Sequence, residues 1–427
     1  MQFAAFTFQV PAGLATLARG IAGFASAELA NRIVRLGAIL VIARYTNAEL
    51  LGTAALALSL FELTRVLTQA GIGQRIVAAD DGELAAICER GYRLFWICCA
   101  GVALIQLIIA AILFTAFAMT EAAAMLAVLS GVYLFMPAGL VQIFLLMRDE
   151  RLTTCASIGA TQAILDHLLT AALIIFWPSA WAIVLPKLLT APVWTMLARH
   201  ARPWLREGTA PAAAGEFRAY CGGVLASELM TALRLNADKL VISAMLGMQA
   251  LGTYYFAFGA GLGIAQSLVT AFGTVLFASL CRAGAAERQL QLRTALLIGL
   301  AILTPIVAAQ VFLAPIYVPI VFGSHWAPAA PYLALLSIAA IPLFLLSGIG
   351  AAYRANRKPG RDAGLASIAT MAALGGLALG ATHSLIAACA GYSIGLALVA
   401  IPAALRATAN NTTPPALTKF TDKVISS

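Results

Sequence analysis

The chain breaks into twelve apolar stretches of about 20 residues, each long enough to cross a bilayer as a helix. They lie at 24–45, 50–71, 94–117, 123–147, 152–177, 181–197, 220–246, 250–280, 292–315, 329–353, 363–381 and 384–405. A soluble fold cannot hide that much apolar length: 62% of the residues are hydrophobic, 11% are charged, and the mean hydropathy is +0.92. The sequence therefore predicts an all-α membrane protein of about twelve transmembrane helices.

The charges between the stretches fix an orientation. With Arg44 and Arg293, each the second residue in from the end of a stretch, counted with the adjoining connection, 20 of the 27 Lys and Arg residues fall on the two ends and the even-numbered connections, Arg44 alone falls on an odd-numbered connection, and six fall inside spans. Short cytoplasmic loops retain Lys and Arg, so the bias predicts both termini in the cytoplasm. It also accounts for nearly all of the net charge of +9, which leaves no case for nucleic acid as a partner. The seven cysteines lie within spans or on the basic side, in no metal-ligand spacing, and argue against a disulfide framework or a metal site. No motif calls for a cofactor.

A shift of 200 residues reveals an internal repeat. Leu40, Val41, Ile42, Leu51, Gly52 and Thr53 return as Leu240, Val241, Ile242, Leu251, Gly252 and Thr253, and Glu28 and Leu29 return as Glu228 and Leu229. The repeat maps the first span onto the seventh in the same orientation, which predicts two six-helix lobes related by a pseudo-twofold axis along the membrane normal. The expected organisation is an N-terminal apolar, interfacial segment at 1–23 with no cleaved signal peptide, an N-lobe at 24–200, a cytoplasmic linker at 201–217, a C-lobe at 218–405 and a polar cytoplasmic tail at 406–427. Glycines spaced four apart (Gly259 and Gly263, Gly376 and Gly380, Gly391 and Gly395) suit close helix packing.

Charge inside a membrane is costly and marks places that face protein or water. Glu28, Asn31, Arg32 and Arg35 form a stripe on one face of the first span. Glu28 and Arg32 are spaced to pair, which leaves Arg35 for an anion; the competing reading is an ion pair to a neighbour such as Glu62. Span two holds Glu62 and Arg65, and span seven holds Glu228, Arg234, Asn236, Asp238 and Lys239, for which structural pairs and substrate contacts are both open. Lys187, near Pro186 and Pro192, has no partner nearby in sequence and suits an anionic group. Asp166 and His167 are a candidate proton-handling pair, although adjacent helical residues point about 100° apart. The substrate-binding candidates are thus Arg32, Arg35, Arg65, Lys187, Arg234 and Lys239; the charge-pair or coupling candidates are Glu28, Glu62, Asp166, His167, Glu228 and Asp238. Six positive charges against five negative ones leave a near-neutral interior, so any anion site must come from local arrangement.

Three segments carry a family resemblance. RIVRLGAILVIARYTNAELLGTAALALSLFEL, with Ala43, Arg44 and Gly52 at its outer turn, resembles the opening of bacterial polysaccharide exporters. LNADKLVISAMLGMQALGTYYFAF at 235–258 and VFGSHWAPAAPYLALLSIAAIP at 321–342 extend the similarity over nearly the whole chain. The group is the oligosaccharide flippase branch of the multidrug/oligosaccharidyl-lipid/polysaccharide exporter superfamily. The resemblance implies a central cavity and translocation of a polyprenyl-diphosphate-linked saccharide to the outer leaflet of the bacterial inner membrane by alternating access. It also implies polysaccharide polymerase and export proteins as partners. Carrying a diphosphate and a hydrated sugar through bare hydrocarbon would cost on the order of tens of kcal/mol, which a polar cavity avoids. Two readings compete. An organic-cation antiporter of the same superfamily would favour an acidic, aromatic-lined cavity. A membrane glycan polymerase or ligase would need catalytic groups on the outer face, where the connections offer little beyond Arg44, Glu49, Glu121 and His325. The expectation is a transporter, not an enzyme.

Overall fold

The structure is a computed structural model that describes residues 31, 33–68, 71–205, 215–282, 284, 287–356 and 358–409. The expected interfacial segment at 1–23 and most of the polar tail lie outside the described residues, as do Glu28, Arg32 and part of the linker. Among the described residues every regular element is a helix.

The chain divides by its internal packing into two compact units, one made of residues 1–46 and 53–236 and the other of residues 47–52 and 237–427. In the first unit α1 (33–45) is followed by α2 (Ala48–Arg65), whose first turn belongs to the second unit, and by α3 (Ile72–Val77), α4 (Leu84–Thr115), α5 (Thr120–Leu129), α6 (Pro137–Arg148), α7 (Leu152–Phe176) and α8 (Ala180–Ala201). The long helix α9 (Gly215–Ala257) passes from the first unit into the second. There it leads to α10 (Gly263–Arg282), α11 (Glu287–Phe322), α12 (Ala330–Ile338), α13 (Ala340–Ala355), α14 (Pro359–Ala381) and α15 (Leu385–Ala409).

Nine helices among the described residues are long and apolar enough to cross a membrane, and a bent pair, Thr120–Leu134 with Pro137–Arg148, makes ten. The two further expected spans have visible causes for falling short of that count. The first lies partly outside the described residues. The seventh and eighth run into one another in α9, where Gly247 breaks the helix with φ 81° and ψ −176°, a conformation that glycine alone adopts readily. That break falls where the sequence places the connection between them. The eighth span then continues through a π-helical turn at Phe258–Leu262 and the shorter apolar stretch Leu268–Cys281.

The expected fourth span, 123–147, is broken rather than straight. A 3₁₀ turn at Ser130–Leu134 precedes Pro137, and the two arms meet at 57°. Proline has no N–H to continue the helical ladder, so the bend falls at the residue before it. The bend points Val132 and Met136 into the site described below.

Packing within the first unit is close. Phe95 of α4 stacks on Phe144 of α6 with centroids 5.9 Å apart, and Ile143, Leu146, Ile158 and Ala198 join α6, α7 and α8 in one buried cluster. Gln106 of α4, fully buried, donates to Thr64 Oγ1 at 2.6 Å and to Tyr133 Oη at 3.0 Å, tying α2, α4 and the 3₁₀ turn together. A buried amide without such partners would cost a few kcal/mol, so this network specifies the register of three helices.

In the second unit α14 and α15 run as the tightest helix pair. A Cβ on Gly376 would strike the backbone of Gly391, one on Gly391 would strike Gly376, and Gly380 and Gly395 meet the backbones of Ala387 and Ala372 in the same way. Two of the three glycine pairs expected from sequence therefore face each other. Gly259 has open space around it instead. The second unit also holds a reciprocal contact: Gly52 lies against the backbone of Met248, and Gly252 lies against the backbone of Ala48. Each partner is 200 residues from its counterpart, the spacing of the sequence repeat.

Several arginines of the basic side cap helix ends. Arg151 donates to Ala201 O at 3.1 Å and Arg288 donates to Leu280 O at 3.0 Å, both near helix C-termini where the carbonyls lack intrahelical donors. Arg202 pairs with Asp149 at 2.8 Å, and Arg148 pairs with Asp81. Arginines of the connections that the sequence reading places on the basic side thus tie short connections together.

Candidate functional site

A cavity of about 390 Å³ opens inside the first unit between α2, α7, α8 and the bend before α6. Helical periodicity builds two of its walls. Gly159, Gln162, Ala163 and Asp166 fall on one face of α7, and Lys187, Thr190, Ala191 and Trp194 fall on one face of α8. The two helices form a hairpin through the short connection 177–179, so the faces meet in antiparallel register. Phe61, Glu62 and Arg65 of α2 form the third wall.

Four charges run through the cavity as one alternating chain. Arg65 pairs with Glu62 one turn earlier, with both Nε and Nη2 at 2.9 Å from Oε2. The other oxygen of Glu62 lies 4.0 Å from Lys187 Nζ, and Lys187 reaches Asp166 Oδ2 at 3.2 Å. Two cations and two carboxylates cancel, so the site carries no net charge across these four residues. Isolated charges would each lose several kcal/mol on leaving water, and the pairing offsets that loss. Two unit charges 4 Å apart at an effective dielectric of about 20 attract by about 4 kcal/mol, enough for even the longer Glu62–Lys187 contact to position the ammonium.

The chain of charges has a chemical consequence. An anion that engages Arg65 or Lys187 competes with a carboxylate already beside that cation, so binding weakens existing pairs instead of filling an empty cationic pocket. Two polar atoms on the α7 and α8 walls have no hydrogen-bond partner in the structure: Asp166 Oδ1 and Thr190 Oγ1, on residues only 8% and 4% exposed.

The sequence candidates separate as follows. Glu62, Arg65, Asp166, His167 and Lys187 all line this one cavity. Arg35 is exposed on α1 and lies within electrostatic range of His167. Asp238 and Lys239 lie in the second unit, where Lys239 Nζ is 3.2 Å from Asp238 Oδ1, Tyr254 Oη donates to Asp238 Oδ2 at 2.8 Å, and the ammonium stands 4.8 Å from the ring centre of Phe258. At 1% and 6% exposure this is a packed polar cluster. Glu28 and Arg32 lie outside the described residues, as do the side chains of Glu228 and Arg234.

Glu62 pairs with its own helix neighbour and with Lys187. Lys187, which has no partner nearby in sequence, finds Asp166 on the preceding helix. One signal could have found that pair: Asp166 and Lys187 lie 11 and 8 residues from the 177–179 turn, within one helical turn of level in an antiparallel hairpin and so within reach of a lysine side chain. The sequence reading also missed Gln162, Thr190 and Trp194, uncharged residues that become site residues only because they share a helix face with the ion pair.

A model of polysaccharide biosynthesis proteins matches residues 41–331, more than half of the chain. The chain belongs to that family. Among solved structures, it is similar to the lipid II flippase MurJ in an inward closed conformation, with a TM-score of 0.76 and 13% identity over 91% of this chain and 87% of that one. It is also similar to a multidrug resistance MATE family transporter of the MOP superfamily in an inward-facing conformation, with a TM-score of 0.67 and 15% identity over 88% and 97% of the two chains. An outward-facing conformation of a transporter of the same description follows at a TM-score of 0.61, with 16% identity over 91% and 94%. At these identities the likeness is one of fold. No curated protein sequence matches.

Proposed function

We propose that the protein is a flippase, a transporter and not an enzyme, that carries a polyprenyl-diphosphate-linked oligosaccharide from the cytoplasmic to the outer leaflet of the bacterial inner membrane by alternating access. Both termini lie in the cytoplasm in this reading, as the basic connections require. The observation that carries it is the alternating Arg65–Glu62–Lys187–Asp166 chain inside a cavity among apolar helices, in a member of a polysaccharide biosynthesis family with a fold shared by a lipid II flippase. A diphosphate supplies the charge that can replace a carboxylate against Arg65 and Lys187, while the polyprenyl tail stays in the bilayer. Arg35 extends the cationic surface that the headgroup meets. Polymerase and export proteins would take up the saccharide on the far side.

The test is leaflet-resolved labelling of the lipid-linked saccharide in a strain lacking the gene. Repeat units should accumulate, fully assembled, with their sugars facing the cytoplasm. Units found facing outward, in a strain with no second flippase, would refute the reading and point to a polymerase or ligase; an unchanged surface glycan would point to an antiporter of other cargo.

A further inference from the structure

Arg93 of α4 and Arg293 of α11 are 200 residues apart, the spacing of the sequence repeat, and both side chains are exposed. Each stands at the basic end of a face that stays exposed along its helix. From Arg93 that face continues through Trp96, Ile97 and Leu104, and from Arg293 it continues through Leu297 and Thr304. Only 22% of the most apolar part of α4 is buried, and 17% of that of α11, so these faces meet the hydrocarbon of the bilayer. Past the two arginines, residues 94–115 and 294–315 are helical throughout, about 33 Å of helix in each case. That length crosses a hydrocarbon core of about 30 Å and leaves both guanidinium groups at the level of the lipid headgroups.

The protein holds the two groups differently. Arg93 donates from Nε to Glu89 Oε1 at 3.1 Å, and its Nη2 stands 3.0 Å from the same oxygen. The Glu89 side chain is 4% exposed and that of Arg93 is 52% exposed, so a buried carboxylate grips one edge of an outward-facing guanidinium. Its Nη1 meets no acceptor among the described residues. In the second repeat Gln289 takes the place of Glu89 and donates to Ala407 O at 3.3 Å, and Arg293 makes no ion pair among the described residues. A guanidinium with N–H groups to spare pairs with phosphate oxygens in a planar fork, and phospholipid supplies phosphate at this depth. In the orientation that the basic connections give, this is the cytoplasmic leaflet, which carries anionic lipid. Beside Arg93, the ring of Tyr92 stands 6.2 Å from that of Trp96 and 5.6 Å from that of Trp204, an aromatic cluster of the kind that settles at the same level.

We infer that Arg93 and Arg293 are a repeated pair of sites for the headgroup phosphate of an anionic phospholipid, on the lipid-facing sides of α4 and α11 and apart from the cavity lined by α2, α7 and α8. The sites take bilayer lipid and not cargo, and they stand independently of the flippase reading.

The experiment uses the full-length protein in nanodiscs of phosphatidylethanolamine and phosphatidylglycerol in equal parts, and native mass spectrometry counts the lipids that stay bound. Phosphatidylglycerol should be retained over phosphatidylethanolamine by about fivefold at each site, the factor that one arginine near an anionic surface supplies. Arg293→Gln, which breaks no ion pair, should retain one phosphatidylglycerol fewer, and Arg293→Lys should keep part of the preference. Arg93→Gln alone would strand a buried carboxylate, so it is combined with Glu89→Gln, and this double variant should also retain one fewer. If the double variant does not fold, Arg293→Gln decides. Lys358→Gln, which removes an equal charge from the connection before α14, should change nothing. Equal retention of the two lipids by the unaltered protein overturns the proposal, and so does an unchanged preference in Arg293→Gln or an equal loss in Lys358→Gln. A loss in Arg293→Gln with none in the folded double variant overturns the site at Arg93.

Discussion

The ammonium of Lys187 lies 3.2 Å from Asp166 Oδ2, which joins two antiparallel helices by a charge pair in the interior of a membrane protein. Lys187→Met leaves Asp166 and the far oxygen of Glu62 without their cation. Breaking a fully buried pair typically costs 3–5 kcal/mol, and the one-third exposure of Lys187 reduces the expected loss to about 2 kcal/mol. Adding Asp166→Asn should recover most of that stability without restoring transport. Thermal unfolding of the single and double variants in detergent, alongside a flipping assay, checks both halves. A double variant that transports normally would show the pair to be scaffolding.

Arg35 is exposed, so Arg35→Ala should leave stability within about 0.5 kcal/mol of the parent. Transport should fall at least tenfold at unchanged membrane expression. Arg35→Lys should recover part of it, since charge survives but the planar fork that grips phosphate does not. Complementation of a deletion strain, scored with membrane protein levels, distinguishes loss of activity from loss of protein.

The basic connections predict a topology that reporter fusions read directly. Fusions at Thr120 and Trp177 should be exported, and those at Arg151 and Lys358 should stay in the cytoplasm. A cytoplasmic signal at Thr120 would contradict the charge argument for twelve spans.

Gly391 and Gly376 touch through their backbones, so neither can carry a side chain without moving a helix. Gly391→Val should destabilise the protein by about 1–3 kcal/mol, the usual cost of overpacking. Gly259→Ala, at a position with open space, should be tolerated. Comparison of the two unfolding midpoints tests whether the α14–α15 contact or mere glycine content matters.

What could be read from sequence followed from one-dimensional physics. Apolar length placed the spans, and the break at Gly247 fell where a connection was expected. The i, i+3 spacing of Glu62 and Arg65 announced a pair that the helix itself enforces. The bend before Pro137 was not anticipated, because a proline in an apolar stretch is compatible with either a mild kink or a full break. The Lys187–Asp166 contact depends on the register of two helices, which periodicity within each helix does not determine. Thr190 and Trp194 escaped notice for a further reason: in an apolar chain an isolated threonine or tryptophan is ordinary, and only the neighbouring charges and space give it a task.

Gly52 lies against the backbone of Met248 and Gly252 against that of Ala48, so the contact joins four positions that the 200-residue shift relates in pairs. The likeness ends soon afterwards: residues 60–66 read LFELTRV and carry Glu62 and Arg65, whereas residues 260–266 read AGLGIAQ and carry no charge. Identical chains in a homodimer must repeat every charge they introduce, but a repeat within one chain is free to differ between its copies, and the ion chain through Glu62 and Arg65 is such a difference.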